Sequence, residues 1–510
     1  MNAIPVTWQP RLAAALAPLL GMCATLGFAP FDFWPAPVLA LAGLYALCAG
    51  ATPRRATWLG WCFGLGHFAT GVYWVYISTH VFGGAAAWLA VLLAAVLFAY
   101  LALYPALACG MASWARAWHA PAGWLVVPGL WLFGELLRGW VYSGFPWLSL
   151  GYVALDAPAE RWIPLLGTHG LSLLFALSAF AVWRATVAVD RRSRLLAMGL
   201  ALLPLSGALL PPPATTWTEA AGEPLSVAMV QGNVPQDQKW DTAQTHAVLE
   251  RYRAMTLSAA DADLIVWPEA VPNRPLDEVL TYFEELDAQL RSGDAALLAG
   301  VLIYDDRLSV YNSIIALGSA RGRYDKRHLV PFGEYFPIPA WLRPIMDVLD
   351  LPYGDISSGA APRPPIKVGD QALGISICFE DVFGAEFAAA SAPASILVNA
   401  TNDAWFARSS AAHQHLQIAR YRALENGRWL IRATNTGISA LIGPDGRVRL
   451  RSGHYTTEVL RGQVTPRAGQ TPYARWRDAP LWALAVLTLL TAVWTHRRRS
   501  RAGHVGDLQP

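Results

Sequence analysis

Charged residues are scarce in this chain, and their scarcity excludes an ordinary soluble enzyme. Of 510 residues only 15% are charged, whereas typical soluble proteins have about 25%. Hydrophobic residues make up 54% of the chain, and the mean hydropathy is +0.32. The formal net charge of +3 is too small to indicate a nucleic-acid partner. We therefore predict a membrane protein with room for one sizeable domain outside the bilayer.

Cysteine is scarce as well, which excludes a disulfide framework. Only five are present, and Cys23, Cys48, Cys62 and Cys109 lie in apolar runs, where a thiol behaves as a small buried hydrophobe. Cys378 is the single cysteine of the more polar half, so that half cannot contain an internal disulfide. Its thiol is therefore available for chemistry.

Apolar runs of the length that crosses a bilayer, about 20 residues, recur before residue 213. Seven lie there and an eighth lies near the C-terminus, so we predict a membrane bundle of about eight transmembrane helices. The predicted spans run near 11–29, 34–51, 57–78, 84–112, 121–141, 163–186, 195–212 and 479–494.

The loops between these runs indicate the orientation. Basic residues occur in loops 52–57, 114–119 and 183–194, whereas the alternate loops FAPFDFWPAP and STHVFGG contain no Lys or Arg. Basic loops stay in the cytoplasm, so we expect the N-terminus inside and the chain after residue 212 outside. The predicted domains are a seven-helix region over 1–212, an extracytoplasmic domain over 213–478, a transmembrane helix over 479–496 and a basic cytoplasmic tail over 497–510.

The region from about 225 to 465 alternates short apolar strands with amphipathic helices. This alternation predicts an α/β layered domain whose sheet is covered by helices. The segment LDEVLTYFEELDAQL predicts one such helix. Its expected apolar face consists of Leu276, Val279, Leu280, Phe283, Leu286 and Leu290.

Three reactive residues follow strands, at the ends where sites gather in open α/β sheets. Glu269 follows LIVWP, Lys326 follows the IIALG strand through SARGRYDK, and Cys378 ends LGISI. A thiol nucleophile needs a base, and a lysine ammonium favours the thiolate and stabilises an oxyanion. Taken singly, each residue is more often inert core, loop carboxylate or solvated side chain. Together they predict an acyl-transfer site.

Three segments, VWPEA, YDKRHLVPFGEYFP and ISICFED, resemble the signatures of the nitrilase (carbon–nitrogen hydrolase) superfamily. That resemblance implies a Glu–Lys–Cys triad in an αββα sandwich. Further segments are similar to the bacterial apolipoprotein N-acyltransferase family, as is the layout of seven helices before the domain and one after. These segments are VQGNVPQDQKWD (230–241), NATNDAWF (399–406) and GPDGRV (443–448). The resemblance covers nearly the whole chain.

The resemblance assigns roles to the three reactive residues. It implies that Glu269 is the general base, that Lys326 stabilises the oxyanion, and that Cys378 is the nucleophile. Glu334, in PFGEYFP, corresponds to a second glutamate that supports the lysine and the intermediate.

Three more positions correspond to functional residues of the family. Glu380 matches a carboxylate near the nucleophile, and Trp240 matches a loop tryptophan that handles the acceptor or lipid. Phe379 stands where the better-known pattern has tyrosine, so a packing role is retained and a hydroxyl is lost.

The implied reaction has two halves and requires no cofactor. Cys378 attacks an acyl ester of a phospholipid, with phosphatidylethanolamine as the expected donor, and releases a lysophospholipid. The thioester then acylates the α-amino group of the diacylglyceryl-cysteine that begins an apolipoprotein, the last step of lipoprotein maturation. The expected location is the bacterial inner membrane, with the catalytic domain on the periplasmic side and no nucleic-acid partner.

Two alternatives belong to other functional classes. A membrane-anchored amidase or nitrilase-type hydrolase is disfavoured because seven helices exceed what anchoring needs. A transporter or sensor with a degenerate outer domain is disfavoured by the intact triad and by the few charges in the apolar runs. We predict no metal site, because His413 and His415 are two residues apart and do not share a helical face.

Overall fold

The computed structural model describes residues 8–212, 216–236, 239, 242–272, 274–306, 309–336, 341, 355–360 and 365–506. The chain divides into two compact units. The helical unit comprises Met1–Tyr73, Val91–Pro211 and Trp476–Pro510, and the α/β unit comprises Trp74–Ala90 and Pro212–Arg475. Trp240 lies outside the described residues, so its predicted role remains a prediction.

The helical unit is built from apolar helices. In chain order its helices before the α/β unit are α1 (Pro10–Ala24), α2 (Pro35–Cys48), α3 (Pro53–Gly71), α4 (Ala87–Leu101), α5 (Leu103–Trp114), α6 (Gly123–Arg138), α7 (Ile163–Val187) and α8 (Arg191–Ala201). The first turn of α4 is grouped with the α/β unit. Small residues allow close contact between α1 and α3, because a Cβ on Gly21 would collide with the Phe63 carbonyl and one on Gly66 with the Pro18 carbonyl.

Four helical stretches in the described part of the chain are long and apolar enough to cross a membrane. They are Pro10–Gly27, Ala87–Trp114, Pro158–Val187 and Ala479–Arg498, and the shorter apolar helix Pro35–Cys48 accompanies them. These helices fit a membrane protein. The finer expectation of eight spans stays a prediction.

Several of the predicted spans have different ends in the structure. The span expected over 57–78 ends as α3 at Gly71. The span expected over 195–212 is α8 followed by a 3₁₀ turn, Leu203–Leu209. Pro204 lacks a backbone N–H and stands at the start of that turn, which accounts for the end of the α-helix.

The α/β unit contains strands β1 (Thr218–Ala220), β2 (Leu225–Gln231), β3 (Leu264–Val266), β4 (Ala296–Tyr304), β5 (Val310–Gly318), β6 (Gly322–Asp325), β7 (Ile366–Val368), β8 (Gln371–Ile377), β9 (Ile396–Thr401), β10 (Leu430–Thr434), β11 (Ala440–Ile442), β12 (Val448–Arg451), β13 (Glu458–Val464) and β14 (Arg467–Gly469). One six-stranded sheet has the order β13-β2-β3-β4-β5-β6, the other β12-β11-β10-β9-β8-β7. β1 pairs with β14 apart from both.

The two sheets share one apolar core, and helices cover their outer faces. Its side chains include Val266 and Leu298 from the first sheet and Ile377 and Val398 from the second. The remaining helices are α9 (Thr245–Leu257), α10 (Leu280–Arg291), α11 (Gly384–Ser391), α12 (Ala411–Asn426), α13 (Pro472–Trp476) and α14 (Ala479–Gly506). Side chains of α9 and α10 pack against the first sheet, and those of α11 and α12 against the second. This αββα layering confirms the predicted sandwich.

The predicted apolar helix around 276–290 differs from the structure in its first turn. Phe283, Leu286 and Leu290 are buried as expected, but Leu280 is 47% exposed. Residues Leu276–Val279 form a 3₁₀ turn and α10 begins only at Leu280. Because the 3₁₀ turn has 3.0 residues per turn and the α-helix has 3.6, the apolar positions of the two segments do not lie on one continuous face.

The segment after α3 packs within the α/β unit. A single helical turn, Trp74–Ile77, leads into a π-helical turn, Ser78–Phe82. The Trp74 indole donates to Gln414 Oε1 at 3.2 Å, and Ser78 Oγ donates to the Trp405 carbonyl at 2.9 Å. The predicted outer loop STHVFGG thus begins against the sandwich.

Candidate active site

Cys378 occupies a sharp turn where β8 ends. Its φ is +51°, in the left-handed region that costs a non-glycine residue about 1–3 kcal/mol, and a 3₁₀ turn, Cys378–Val382, follows directly. The Asn399 side chain donates to the Cys378 carbonyl at 3.3 Å and so helps hold this conformation.

Glu269 is positioned by a close approach between two backbones. It follows β3, and Ala270 after it has φ +45°. Val271 N donates to the Gly300 carbonyl on β4 at 2.9 Å. A Cβ on Gly300 would lie 2.6 Å from Ala270 N and 2.9 Å from Glu269 Cα, so glycine is required there.

Lys326 joins two carboxylates in the interior of the sandwich. It follows β6, and its ammonium lies 3.2 Å from Glu269 Oε1 and 2.8 Å from Glu334 Oε1. Burial alone would lower the pKa of Lys326, but the two carboxylates outweigh it and hold that pKa well above its usual range. The lysine is therefore a fixed positive charge.

Asn312 is a site residue that the sequence analysis missed. Its amide Nδ2 donates to Glu269 Oε1 at 2.7 Å and to Glu334 Oε1 at 3.3 Å. Val330 N completes the support of Glu334 by donating to its Oε2 at 2.8 Å. The signal in the sequence is a lone asparagine within the apolar strand VYNSIIALG.

The surroundings of the Cys378 thiol disfavour its ionised form. Burial raises its pKa, and the neighbouring Glu269 and Asp403 carboxylates raise it further, whereas Lys326 and the Thr401 hydroxyl lower it. Formation of a thiolate at Cys378 therefore requires transfer of its proton to a nearby base. Glu269 is the carboxylate that acts most strongly on this thiol.

Glu380 lies two residues after Cys378 and accepts hydrogen bonds from backbone amides and from Tyr324. Its Oε2 accepts from Ile377 N at 2.7 Å, and its Oε1 accepts from Arg327 N at 2.7 Å and His328 N at 3.2 Å. The Tyr324 hydroxyl donates to the same carboxylate at 2.9 Å. Glu380 thus ties the residue before Cys378 to the residues after Lys326.

Phe379 is buried in an aromatic cluster. Its ring packs edge-on against Phe383, with centroids 5.1 Å apart, and 6.2 Å from the His328 ring. Only 7% of Phe379 is exposed. The packing that the sequence analysis expected of this side chain has a structural basis here.

Lys239 is a second missed residue. Its Nζ donates to the Glu269 carbonyl at 3.2 Å. Burial lowers the pKa of Lys239 to about 8, although Glu269 and Cys378 oppose that shift. The segment QDQKWD offered only a lysine beside Trp240, a pattern typical of a solvated loop.

His415 binds carboxylates through both ring nitrogens. Nδ1 lies 2.8 Å from Asp403 Oδ1 and Nε2 lies 3.0 Å from Asp381 Oδ1, while Arg432 contacts Asp403 at 3.0 Å. Burial and Arg432 oppose the imidazolium, but the two aspartates outweigh them and raise the pKa of His415 to about 9. A ring protonated on both nitrogens has no lone pair for a metal.

Comparison with known proteins places the whole chain in one family. Residues 20–181 match the model of the apolipoprotein N-acyltransferase N-terminal domain, and residues 226–473 match that of carbon-nitrogen hydrolases. A protein named apolipoprotein N-acyltransferase from Azotobacter vinelandii is 42% identical over 509 residues, covering 97% of this chain and 96% of that one. The chain belongs to the apolipoprotein N-acyltransferase family.

Two further comparisons involve another relative and a solved structure. A protein of the same name from Methylococcus capsulatus is 39% identical and covers 97% of this chain and 98% of its own length. A crystal structure of a carbon-nitrogen hydrolase from Helicobacter pylori G27 matches 51% of this chain and 94% of that one, at 15% identity and a TM-score of 0.35.

Family membership decides between the classes that the sequence left open. The chain is an acyltransferase of the carbon–nitrogen hydrolase superfamily. The transporter or sensor alternative is therefore wrong, and the hydrolase alternative gives way to acyl transfer.

Proposed function

We propose that Cys378 carries an acyl group, as a thioester, from a phospholipid to the α-amino group of the diacylglyceryl-cysteine that begins an apolipoprotein. The observation that supports this most is the buried Lys326 ammonium, which is shared between Glu269 and Glu334 beside the strained Cys378 turn. This arrangement supplies a base, a fixed cation and a nucleophile, as acyl transfer requires.

In the first half-reaction Glu269 takes the thiol proton, and the Cys378 sulfur attacks the ester carbonyl of the donor. The resulting oxyanion forms next to the Lys326 ammonium. Collapse breaks the ester C–O bond, and Glu269 returns the proton to the departing oxygen, so a lysophospholipid leaves and a thioester remains. Phosphatidylethanolamine is the donor we propose.

In the second half-reaction the neutral α-amine of the acceptor attacks the thioester. Glu269 takes the amine proton, the second oxyanion is again stabilised by Lys326, and the C–S bond breaks. The proton passes to the sulfur, which restores the Cys378 thiol. The products are an amide-linked lipoprotein and the lysophospholipid, by a ping-pong sequence without a cofactor.

The remaining residues support this chemistry. Glu334 and Asn312 hold the Lys326 ammonium and Glu269 in register. Glu380 positions the Cys378 turn relative to the chain after Lys326. We assign acceptor or lipid handling to Trp240 and packing to Phe379.

The location follows from the loop charges. We propose that the protein crosses the bacterial inner membrane eight times and that its catalytic domain over 213–478 faces the periplasm. Both termini, including the basic tail over 497–510, are then cytoplasmic. To test this orientation, a variant whose only cysteine is at residue 360 is labelled from outside the membrane. Labelling that needs a permeabilised membrane would contradict the orientation.

The thioester is the decisive intermediate to detect. The purified protein is incubated with a phospholipid and no acceptor, and its intact mass is measured. We expect one added acyl chain on Cys378 that hydroxylamine removes, and no addition to Cys378→Ala. A diacylated lipopeptide with a free amine should clear the thioester, and the N-acetylated peptide should not. Full transferase activity of Cys378→Ala would overturn the proposal.

A further inference from the structure

Thr401 places a buried hydroxyl beside the nucleophile. It is the last residue of β9, which runs parallel to β8 with Ala400 opposite Ile377, so Thr401 and Cys378 come next on adjacent strands. The residue has no exposed surface. Among the residues that the structure describes, its Oγ1 meets the geometry of a hydrogen bond with none, although it is close enough to the Cys378 thiol to lower the pKa of that thiol.

An unpaired buried hydroxyl needs a physical explanation. Most buried polar side chains have a hydrogen-bond partner, and leaving one of them unpaired costs about 1–3 kcal/mol. The nearby side chains do have partners: Asn399 donates to Ser376 Oγ at 3.0 Å, and Asn402 donates to Gln236 at 3.1 Å. Valine has nearly the same shape as threonine and would avoid the cost of burying an unpaired hydroxyl. Packing in the resting protein therefore does not explain why the hydroxyl is present.

The electrostatic surroundings of Cys378 indicate what favours the Thr401 hydroxyl. The carboxylates of Glu269 and Asp403 disfavour a thiolate, and Lys326 is already shared between Glu269 and Glu334. The positive field of that lysine is therefore partly neutralised. The Thr401 hydroxyl also favours the thiolate, and it is not engaged elsewhere among the described residues.

We propose that Thr401 is a further catalytic residue, whose hydroxyl donates a hydrogen bond to the Cys378 sulfur whenever that sulfur bears negative charge. This happens twice in each cycle, when Glu269 removes the thiol proton and when the acceptor amine expels the sulfur from the thioester. The hydroxyl rotates its proton toward the sulfur and keeps it, so no bond to Thr401 forms or breaks. The inference rests on the proposed role of Cys378 as the nucleophile.

Alkylation of Cys378 by iodoacetamide tests this directly, because it needs the thiolate but neither lipid nor acceptor. The rate is followed over a range of pH by mass spectrometry of the Cys378 peptide in the full chain. In Thr401→Val we expect alkylation at neutral pH to slow about tenfold and the apparent thiol pKa to rise, since hydrogen bonds to charged groups are the strong ones. Thr401→Ser retains the donor and should restore both.

A second pair of variants guards against loss of fold. Thr401→Ser and Thr401→Ala differ by a single oxygen, and their thermal midpoints are measured alongside their alkylation rates. An unchanged rate and pH profile in Thr401→Val, or equal rates for the Ser and Ala variants, would overturn the proposal. If Cys378 still forms the thioester in that case, only the role of Thr401 fails. If Cys378 forms none in the wild type, the proposed function fails instead.

Discussion

The Lys326 ammonium lies 3.2 Å from the Glu269 carboxylate in the interior of the sandwich. The contact joins the chain after β3 to the chain after β6, 57 residues later. Since Lys326 is 1% exposed, its charge is tolerable only because Glu269 and Glu334 surround it. The pair is therefore sensitive to any change in those carboxylates.

Replacing Glu334 should slow the reaction without unfolding the protein. Glu334→Gln retains an oxygen that accepts from Lys326 but removes one of the two charges that hold it. We expect the acylation rate of Cys378 to fall about ten- to a hundredfold, measured by intact mass against time. Glu278→Gln is the matched control, because it removes a carboxylate from a half-exposed pair with Arg274 and should react normally. Near-normal acylation by Glu334→Gln would show that the support role is wrong.

Adding a methyl group at Gly300 should displace Glu269. The new Cβ in Gly300→Ala would lie 2.9 Å from Glu269 Cα, and backbone atoms must shift to admit it. We expect at least a tenfold loss of the acylation rate, because displacing a reacting group by about 1 Å is costly. At Gly293 the nearest atom to a new Cβ is 3.8 Å away, so Gly293→Ala should react as the wild type. Equal rates for the two variants would contradict this positioning.

The charge of His415 should make stability fall on the alkaline side of neutrality. Because folding raises the pKa of His415 from 6.5 to about 9, its contribution is fully present below pH 6.5 and is lost as pH rises through about 9. We expect the thermal midpoint of the wild type in detergent, followed by tryptophan fluorescence, to fall across that window. In His415→Gln the profile should be lower and flatter, since the imidazolium that faces Asp381, Asp403 and Arg432 is absent. An equally steep fall in His415→Gln would assign the effect to another group.

Phe379 should tolerate a hydroxyl better than a loss of volume. Phe379→Tyr retains the ring that packs on Phe383, and we expect acylation within about threefold of the wild type. Phe379→Ala leaves a cavity beside Cys378, so it should lower both the thermal midpoint and the acylation rate. The expected loss in the free energy of unfolding is up to about 3–5 kcal/mol. Measuring both quantities for both variants separates packing from hydrogen bonding. An inactive Phe379→Tyr with a normal midpoint would contradict a purely packing role.

Much of the architecture of the α/β unit can be predicted from local sequence patterns. Apolar strands such as LGISI and ILVNA, alternating with amphipathic helices, predict the layered sandwich because each strand must be covered on both faces. The positions of Glu269, Lys326 and Cys378 just after strands then predict that they gather at one edge. The structure places Lys326 against Glu269.

The tertiary structure decided which groups meet across long separations. Asn312, Lys239 and Thr401 lie in stretches whose local patterns indicate only a strand or a loop, and their relation to Glu269 or Cys378 arises from sheet order. Likewise the segment Trp74–Ile77 continues an apolar run, yet its partner Gln414 is 340 residues away. A sequence pattern records which face of an element is apolar, since burial depends on each residue's own hydration. Which polar atoms form hydrogen bonds with each other depends on how the sheets and helices assemble, so only the folded chain determines those pairs.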